Sequence, residues 1–334
     1  MQNEKQLDVL SICNVLKDII IKVSDQELDD LGLSKGTMVL ISEDEQQNIL
    51  KKFESKEKRI ELGGSGTNAM RTMAILGQKV SQAGMIGDDL YGNICLERVN
   101  ELGIKSNIKK SDKGSTGTSI ILITPDGERT MNTCLGMSRC YTVSDIPESD
   151  IADSKYLHIT GYQWDTDNQI AAINHAIKIA KENNTKISFD LSDPFCVDRH
   201  RETFMTVLEE YVDIVFANLK EANMLTGKGL DESLDILSEL ADIAIIKCGA
   251  EGSWIKTKTQ KIKISANKVE VVDTTAAGDM YAGGFMYGLT KDMSLEDCGK
   301  VANYCAETVI GQVGASIPDN LSKLVNDHLL AIAV

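Results

Sequence analysis

From about residue 150 onward, short apolar runs rich in β-branched residues alternate with stretches whose apolar residues recur at helical spacing. The stretches 167–182 and 295–311 have this spacing, which is typical of helices with one buried face. Such alternation predicts βαβ units and therefore a mostly parallel sheet covered by helices on both faces. Strands are predicted at 156–160, 187–191, 213–217, 243–247 and 269–273.

The first half of the chain has a different pattern. Its apolar runs are short, and turn residues stand beside them, which is typical of a small β-rich unit. Strands are predicted there at 8–12, 19–23, 37–41 and 118–124. A hairpin turn is predicted at 124–129, where the sequence is Thr-Pro-Asp-Gly-Glu-Arg.

These two patterns predict two structural parts within one α/β protein. Segments 15–61 and 114–141 are expected to form a small β-rich lid. The α/β core is expected to comprise residues 1–14, 62–113 and 142–334.

Composition is that of an ordinary soluble globular protein, with 42% apolar and 25% charged residues. No apolar run is long enough to span a membrane, and the start at Met1 lacks a signal-peptide pattern, so the cytoplasm is the expected location. The net charge of -15 argues against a nucleic-acid partner, because phosphate backbones are bound by clustered Lys and Arg. The cysteines form no CxxC pair, so no zinc ribbon or redox motif is predicted.

The most specific chemical signal is the string Asp273-Thr-Thr-Ala-Ala-Gly-Asp279, between a predicted strand and an apolar helix. Small residues at 276–278 leave amides free at the positive end of that helix, where they can bind the charge of a phosphoryl group. Asp279, in the first turn, can accept the proton of an attacking hydroxyl. Taken alone, Asp279 is more simply explained as a helix cap.

A second string, Leu62-Gly-Gly-Ser-Gly-Thr-Asn68, leads into a predicted helix. It overlaps Gly64-x-Gly66-x-x-Ala69, which together with Asp88 about twenty residues on resembles the dinucleotide fingerprint of NAD-dependent dehydrogenases. In such folds the fingerprint closes the first strand, whereas the first strand here is predicted at 8–12. A dehydrogenase also leaves the 273–279 string unexplained, so it stands as the alternative from a different class.

Two further strings follow predicted strands. Asn218-Leu-Lys-Glu221 comes after 213–217, and Lys247-Cys-Gly-Ala-Glu-Gly252 begins at the end of 243–247. Alone, the first is a helix start with an acidic first turn, and the second fits a plain turn. Because 273–279 also follows a predicted strand, all three are expected at the sheet edge where open α/β folds bind ligands.

Together these strings resemble the signatures of the PfkB family of ribokinase-like carbohydrate kinases, and the resemblance spans nearly the whole chain. It implies a ribokinase-like fold, ATP and Mg²⁺ as cofactors, and transfer of a phosphoryl group to a hydroxyl of a small molecule. The string 273–279 matches the C-terminal signature and 62–68 the N-terminal one. Ala276 stands where the family usually has glycine. An alanine at this position resembles the ribokinase branch.

The resemblance also implies roles for individual residues. The catalytic group is Asp279 as base, with an anion hole formed by Ala276, Ala277 and Gly278. Substrate contacts are implied for Asn14, Asp18, Gly63, Gly64, Asn68 and Phe195. ATP contacts are implied for Asn218, Glu221, Lys247, Gly249, Gly252 and Asn303. Glu221 would hold Mg²⁺ through water, and K⁺ would be bound by Asp273, Thr275, Gly314 and Ser316.

Local strings are most similar to the adenosine kinase branch of the family. The segment 13–19 resembles that branch's GNxLxDI, whose Asn and Asp hold the ribose hydroxyls, although Cys13 replaces the glycine. The segment 189–195 resembles LNLSAPF, whose final Phe packs on the purine. The implied reaction is phosphorylation of adenosine at its 5′-hydroxyl to AMP, with Phe195 stacked on the base.

Other functions stay open at this point. A ribokinase-like or fructokinase-like sugar kinase shares most of these motifs, and Lys17 and Arg139 lie where a sugar phosphate could be bound. An inosine-guanosine kinase is also compatible, because the sequence does not place the contacts to the purine edge. A binding protein on a kinase fold that has lost catalysis is disfavoured by the retained Asp279. A monomer and a dimer are both compatible with the sequence.

Overall fold

The computed structural model describes residues 5–312 and 314–332. Its strands are β1 (Leu7–Ile12), β2 (Leu16–Lys22), β3 (Met38–Leu40), β4 (Arg59–Gly63), β5 (Val80–Gly87), β6 (Lys105–Ser111), β7 (Thr116–Ile123), β8 (Arg129–Gly136), β9 (Ser154–Thr160), β10 (Lys186–Asp190), β11 (Ile214–Asn218), β12 (Ile243–Lys247), β13 (Ser253–Lys256) and β14 (Lys261–Ile264). Its α-helices are α1 (Asp25–Asp29), α2 (Glu43–Lys52), α3 (Ser65–Ile75), α4 (Leu90–Glu101), α5 (Glu148–Ala152), α6 (Asp167–Glu182), α7 (Pro194–Tyr211), α8 (Leu219–Thr226), α9 (Leu230–Leu240), α10 (Ala277–Thr290), α11 (Leu295–Ile310) and α12 (Leu321–Ile332).

The large sheet has the strand order β14-β13-β12-β11-β10-β9-β1-β5-β6. The strands from β12 to β6 pair in parallel, and β13 and β14 continue antiparallel at one edge. Successive side chains of β11 pack into opposite cores, Val215 on one face and Phe216 on the other. Because both faces bury apolar side chains under helices, the predicted doubly covered α/β sheet is confirmed.

The strands predicted at 156–160, 187–191, 213–217 and 243–247 correspond to β9 through β12, with ends that differ by at most two residues. The strand predicted at 269–273 is wrong, because that segment is irregular. Val269, Val271 and Val272 are 38%, 57% and 40% exposed. The amides of Val272 and Asp273 bond to the Ile310 carbonyl at the end of α11, at 2.8 and 3.2 Å, and not to a neighbouring strand.

The second sheet has the order β3-β8-β7-β2-β4, and its strands lie within residues 16–63 and 116–136. One face packs on α1 and α2, while Ile20, Ile121 and Ile123 are buried on the opposite face. The hairpin predicted at 124–129 is confirmed, because β7 and β8 pair antiparallel and the Gly127 amide bonds to the Thr124 carbonyl at 2.9 Å. The strand β4 continues to Gly63, two residues past the predicted lid boundary at 61.

The second sheet closely approaches the unit built on the large sheet at two points. A Cβ atom built on Gly127 would lie 3.4 Å from the Val272 carbonyl oxygen. On the other side, Ile20 Cδ1 would lie 2.6 Å from a Cβ atom built on Gly314. Within residues 5–312 and 314–332, no helix combines the length and apolar character needed to cross a bilayer.

Candidate active site

A cavity of about 800 Å³ lies between the two sheets. Four neighbouring parallel strands each end on its wall, and their last residues are Thr160, Asp190, Asn218 and Lys247. This is the carboxyl edge at which open α/β sheets bind ligands. The sequence strings at 218–221 and 247–252 therefore converge there as predicted, whereas the 273–279 string reaches the cavity from an irregular segment.

Asp279 lies in the first turn of α10 and lines this cavity. Ser65 Oγ donates to its Oδ1 at 2.7 Å, and Asn68 Nδ2 donates to its Oδ2 at 2.9 Å. Burial raises the pKa of Asp279, while these two hydrogen bonds act in the opposite direction. The result is a fixed carboxylate that binds a proton more strongly than a free aspartate does.

The helix that carries Asp279 begins with an unusual backbone turn at Ala276. Ala276 is the N-cap and has φ 60° and ψ 5°, in the left-handed region. An alanine there costs about 1 kcal/mol more than a glycine, which is the usual family residue. The Ala277 amide bonds to the Thr274 carbonyl at 3.3 Å, whereas the Gly278 amide has no acceptor within the helix and lies at its positive end, where it can bind a transferring phosphoryl group.

A buried ion pair places the ammonium group of Lys247 near the start of α10. Lys247 Nζ lies 3.0 Å from Asp190 Oδ2, and the two side chains are 15% and 3% exposed. Burial opposes the charge on Lys247, but the carboxylates of Asp190 and Glu221 raise its pKa above the ordinary value. A Cβ atom built on Gly278 would lie 3.1 Å from Lys247 Nζ, so this ammonium group stands beside the predicted anion hole.

Asn218 and Glu221 form a capping box at the start of α8. Asn218 Oδ1 accepts from the Glu221 amide at 2.9 Å, and Glu221 Oε2 accepts from the Asn218 amide at 2.7 Å. Burial raises the pKa of Glu221 to about 8, against the opposing effect of Lys247. Both residues line the cavity, so an oxygen donor set suited to hydrated Mg²⁺ is present.

The remaining predicted ATP contacts, Gly249, Gly252 and Asn303, also line the cavity. Gly249 and Gly252 have φ values of 57° and 87°, and a Cβ atom on Gly252 would lie 1.9 Å from the Ile264 carbonyl oxygen. Asn303 Nδ2 donates to the Ser265 carbonyl at 3.1 Å and so holds the segment after β14. Residues 266–269 of that segment also line the cavity.

Apart from Phe195, the predicted substrate contacts lie on or directly behind the wall of the cavity that Asp279 also lines. Gly64 has φ 96°, and a Cβ atom on it would lie 2.1 Å from the Asn14 carbonyl oxygen. A Cβ atom on Gly63 would lie 2.1 Å from Asp18 Oδ1. Asn14, Asp18 and Gly64 line the cavity, whereas Gly63 lies behind Asp18 and leaves room for its carboxylate.

Asn14 and Asn68 already have protein partners. Asn14 Oδ1 accepts from Gln169 Nε2 at 2.8 Å, and its Nδ2 donates to the Tyr162 carbonyl at 3.2 Å. Asn68, expected to contact substrate, donates to Asp279 and lines the cavity. Ser65 was missed in the sequence, where nothing signals its contact with a residue 214 positions away.

Asp18 is a buried carboxylate, 6% exposed. Burial, followed by the charges of Glu61 and Asp279, raises its pKa to about 7, and Arg71 and Arg129 oppose this shift. An acidic group whose folded pKa is raised destabilises the fold as the pH rises from its unfolded pKa to its folded pKa. For Asp18 this range runs from about 3.9 in the unfolded chain to about 7.

We therefore expect Asp18→Asn to stabilise the unliganded protein increasingly as the pH rises. Between pH 5 and pH 8 the gain in unfolding free energy over wild type should grow by on the order of 3 kcal/mol. Urea unfolding at both values measures it. Asp29→Asn, which removes an exposed carboxylate on α1, is the matched control and should show no such growth. A pH-independent difference for Asp18→Asn would contradict the assignment.

Phe195 is not among the residues that line the cavity. The guanidinium carbon of Arg199 covers its ring at 4.3 Å from the centroid, and Cys196 and Arg199 form the cavity wall at this point. The stacking role of Phe195 stays a prediction. Cys13 stands at the position of the glycine in GNxLxDI. Its side chain lies between Thr67 and Gln82 and forms part of the cavity wall.

The cations named for a sugar-phosphate acceptor lie elsewhere. Lys17 Nζ sits 3.0 Å from the centroid of the Tyr91 ring, and Arg139 pairs with Asp165. Neither lines the cavity, whereas Arg129 and Arg199 do.

The second sheet contributes an apolar wall to the cavity, and the sequence pattern did not predict it. We call this surface the lid wall; it consists of Leu16, Met38, Leu40, Ile121, Met131 and Leu135. The strands were predicted, but which side chains face inward depends on the pairing of β2, β7 and β8, and the sequence does not specify this pairing.

Three of the four predicted K⁺ ligands are brought together. Asp273 Oδ1 accepts from the Thr275 amide and hydroxyl at 2.8 and 2.6 Å, and its Oδ2 accepts from the Gly314 amide at 2.7 Å. Among the described residues, Ser316 makes no hydrogen bond to this group, and no cluster of three His, Cys, Asp or Glu residues could hold a metal ion. A K⁺ site stays a prediction.

Comparison with known proteins gives a consistent answer at the level of the family. Residues 37–322 match the pfkB family of carbohydrate kinases. A solved adenosine kinase from Sinorhizobium meliloti is 34% identical, with a TM-score of 0.93 and coverage of 97% of this chain and 99% of that one.

Sugar kinases are similar to the same degree. A probable sugar kinase from Rhizobium etli is also 34% identical, with a TM-score of 0.93 over 98% of this chain and 99% of that one. Adenosine kinase 2 of Arabidopsis thaliana is 26% identical over 93% of this chain and 96% of its own length. These similarities support the predicted kinase and leave its acceptor open.

Proposed function

The chain belongs to the pfkB family of carbohydrate kinases and is a phosphotransferase acting on a hydroxyl group, and we propose that its acceptor is the 5′-hydroxyl of a nucleoside, most specifically adenosine. The lid wall is the observation that carries this choice. An apolar surface suits the flat face of a purine and offers little to a free sugar. Asn14 and Asp18 line the same cavity, and Asp18 lies on β2 beside Leu16 of the lid wall, so one nucleoside can contact these side chains and the lid wall together.

The proposed chemistry follows from the contacts around Asp279. Its carboxylate, held by Ser65 and Asn68, accepts the proton of the 5′-hydroxyl as that oxygen bonds to the γ-phosphorus of ATP. The bond between the γ-phosphorus and the β–γ bridging oxygen breaks, and ADP leaves. The amides at 276–278 and the ammonium of Lys247 stabilise the charge on the phosphoryl oxygens.

Mg²⁺ would be held near Asn218 and Glu221, largely through water. When bound, it neutralises negative charge on the phosphates of ATP. Burial raises the Glu221 pKa, and Lys247 acts in the opposite direction, so the neighbouring ammonium favours the ionised form that would hold Mg²⁺.

Closure of the second sheet over the acceptor belongs to this proposal, because a kinase must exclude water from the reactive phosphate. The second sheet already lies close to the large-sheet unit at Gly127 and Val272 and at Ile20 and Gly314. Adenosine with a non-hydrolysable ATP analogue should slow amide hydrogen exchange in residues 15–61 and 114–141, with α6 as the reference. Protection confined to the large-sheet unit would contradict the lid.

The proposal is tested by ADP release from the purified protein with ATP, Mg²⁺ and adenosine. 5′-Deoxyadenosine is the matched ligand, because it presents the same base and ribose hydroxyls without the attacking oxygen. Adenosine should support ADP release, and 5′-deoxyadenosine should inhibit competitively without supporting it. No release with adenosine would overturn the nucleoside assignment, and release with a sugar alone would favour the sugar kinase.

A further inference from the structure

Arg71 is a buried guanidinium on α3, 7% exposed. One of its nitrogens, Nη1, donates to the Leu62 carbonyl at 2.9 Å and to Asn68 Oδ1 at 3.0 Å. Leu62 lies on β4, so a single nitrogen joins a strand of the second sheet to the helix behind the active site. Within residues 5–312 and 314–332, Arg71 Nε has no hydrogen-bond partner.

The bond to Asn68 determines which way the Asn68 amide points. An arginine side chain can only donate hydrogen bonds, so the Asn68 oxygen must face it. The Asn68 nitrogen then faces Asp279 Oδ2, to which it donates at 2.9 Å. If the amide were reversed, two acceptors would face each other at Asp279 and two donors at Arg71.

We propose that Arg71 is a positioning residue for phosphoryl transfer, which orients Asn68 and through it the carboxylate of Asp279. This inference rests on the proposed role of Asp279 as base. Arg71 touches neither the acceptor nor ATP, since it does not line the cavity.

The charges around the two groups determine the expected pH effect. Glu61, Asp18 and Arg98 act on Arg71, and Asp18, Asp190 and Lys247 act on Asp279. The Asn68 hydrogen bond lowers the pKa of Asp279, so loss of that bond raises it. The acid limb of the kcat profile should therefore move to higher pH when Arg71 is replaced.

A double-mutant cycle tests the route through Asn68. Arg71→Gln should lower kcat by about tenfold or more with a much smaller change in the KM for ATP, and Arg71→Lys, which keeps a charged donor, should recover most of the rate. In the Asn68→Ala background, Arg71→Gln should cost less than about twofold, because the orienting contact is already gone. Equal losses in both backgrounds, or an unmoved acid limb, would overturn the proposal.

The controls separate positioning from folding. The Arg98 side chain on α4 lies near Arg71 and donates a hydrogen bond to Glu101. Arg98→Gln removes this neighbouring charge and should leave kcat and the acid limb unchanged. If Arg71→Gln is not folded, the double variant Glu61→Gln/Arg71→Gln replaces it, because it removes the charge of Glu61 together with that of Arg71. The single variant Glu61→Gln is then the reference. Melting temperatures verify folding for every variant.

The outcome also distinguishes this inference from the proposed function. The cycle is run with whichever acceptor the wild type phosphorylates, so a sugar acceptor would overturn the nucleoside assignment and leave the Arg71 test intact. Additive losses in an active enzyme would overturn the Arg71 inference alone. A wild type that releases no ADP with any acceptor would overturn both.

Discussion

Asp279→Asn is expected to lower kcat by on the order of 10² or more while the KM values for acceptor and ATP change only a few-fold. Asparagine preserves the size of the side chain and its place in the first turn of α10. It cannot accept the hydroxyl proton, so the loss falls on the chemical step. Wild type should lose activity at low pH as Asp279 protonates, with the limb above the range of an ordinary aspartate because burial raises this pKa.

Asp297→Asn is the matched control for this experiment. Asp297 occupies the same third position of α11 that Asp279 occupies in α10, and it accepts a bond from the N-cap Ser294 at 2.7 Å. Its replacement reports what loss of a helix-terminal charge does by itself, and kcat should stay at the wild-type level. Near-normal kcat in folded Asp279→Asn would contradict the assignment of the base.

The second large effect is expected from removal of the Lys247 charge. Lys247→Met alone would leave Asp190 as a buried unpaired carboxylate, which costs about 3–5 kcal/mol of stability. The informative variant is therefore Lys247→Met/Asp190→Asn, compared with Asp190→Asn. The double variant should fall below the single variant in kcat by about 10², because a donor to the transferring phosphoryl group is lost.

Steady-state kinetics with varied ATP measure this difference. Lys256→Met, which removes a surface lysine paired with Asp235, is the control for loss of a positive charge on the neighbouring strand β13. Equal kcat values for the double variant and Asp190→Asn would show that Lys247 does not contact the transferring group.

The parallel sheet could be predicted from the sequence because its strands are short apolar runs set between helices of regular spacing. The same reasoning failed at 269–273, where valines again cluster. There the backbone finds its partner at the end of α11, and the side chains are exposed. Valine content alone does not distinguish a strand from an extended loop that covers a cavity.

The active site could be predicted to the extent that its residues belong to local strings. Asn218 and Lys247 meet on one cavity because they end neighbouring parallel strands, and Asp279 joins them from the first turn of α10. Ser65 could not be found, because its bond to Asp279 forms only when α3 and α10, which are distant in sequence, pack together. Arg71 bonds to residues near it in sequence, but its link to Asp279 through Asn68 depends on the same packing. The lid wall was missed for a similar reason, since strand pairing determines which face is turned inward.

The claim that the acceptor is a nucleoside is tested most directly by competition in one reaction. Adenosine, ribose and fructose at equal concentration, with limiting ATP and Mg²⁺, are incubated with the purified protein, and the phosphorylated products are identified by phosphorus NMR. If the lid wall binds a purine, the amount of 5′-AMP formed should nearly equal the amount of ADP released. A ribose or fructose phosphate as the main product would contradict it.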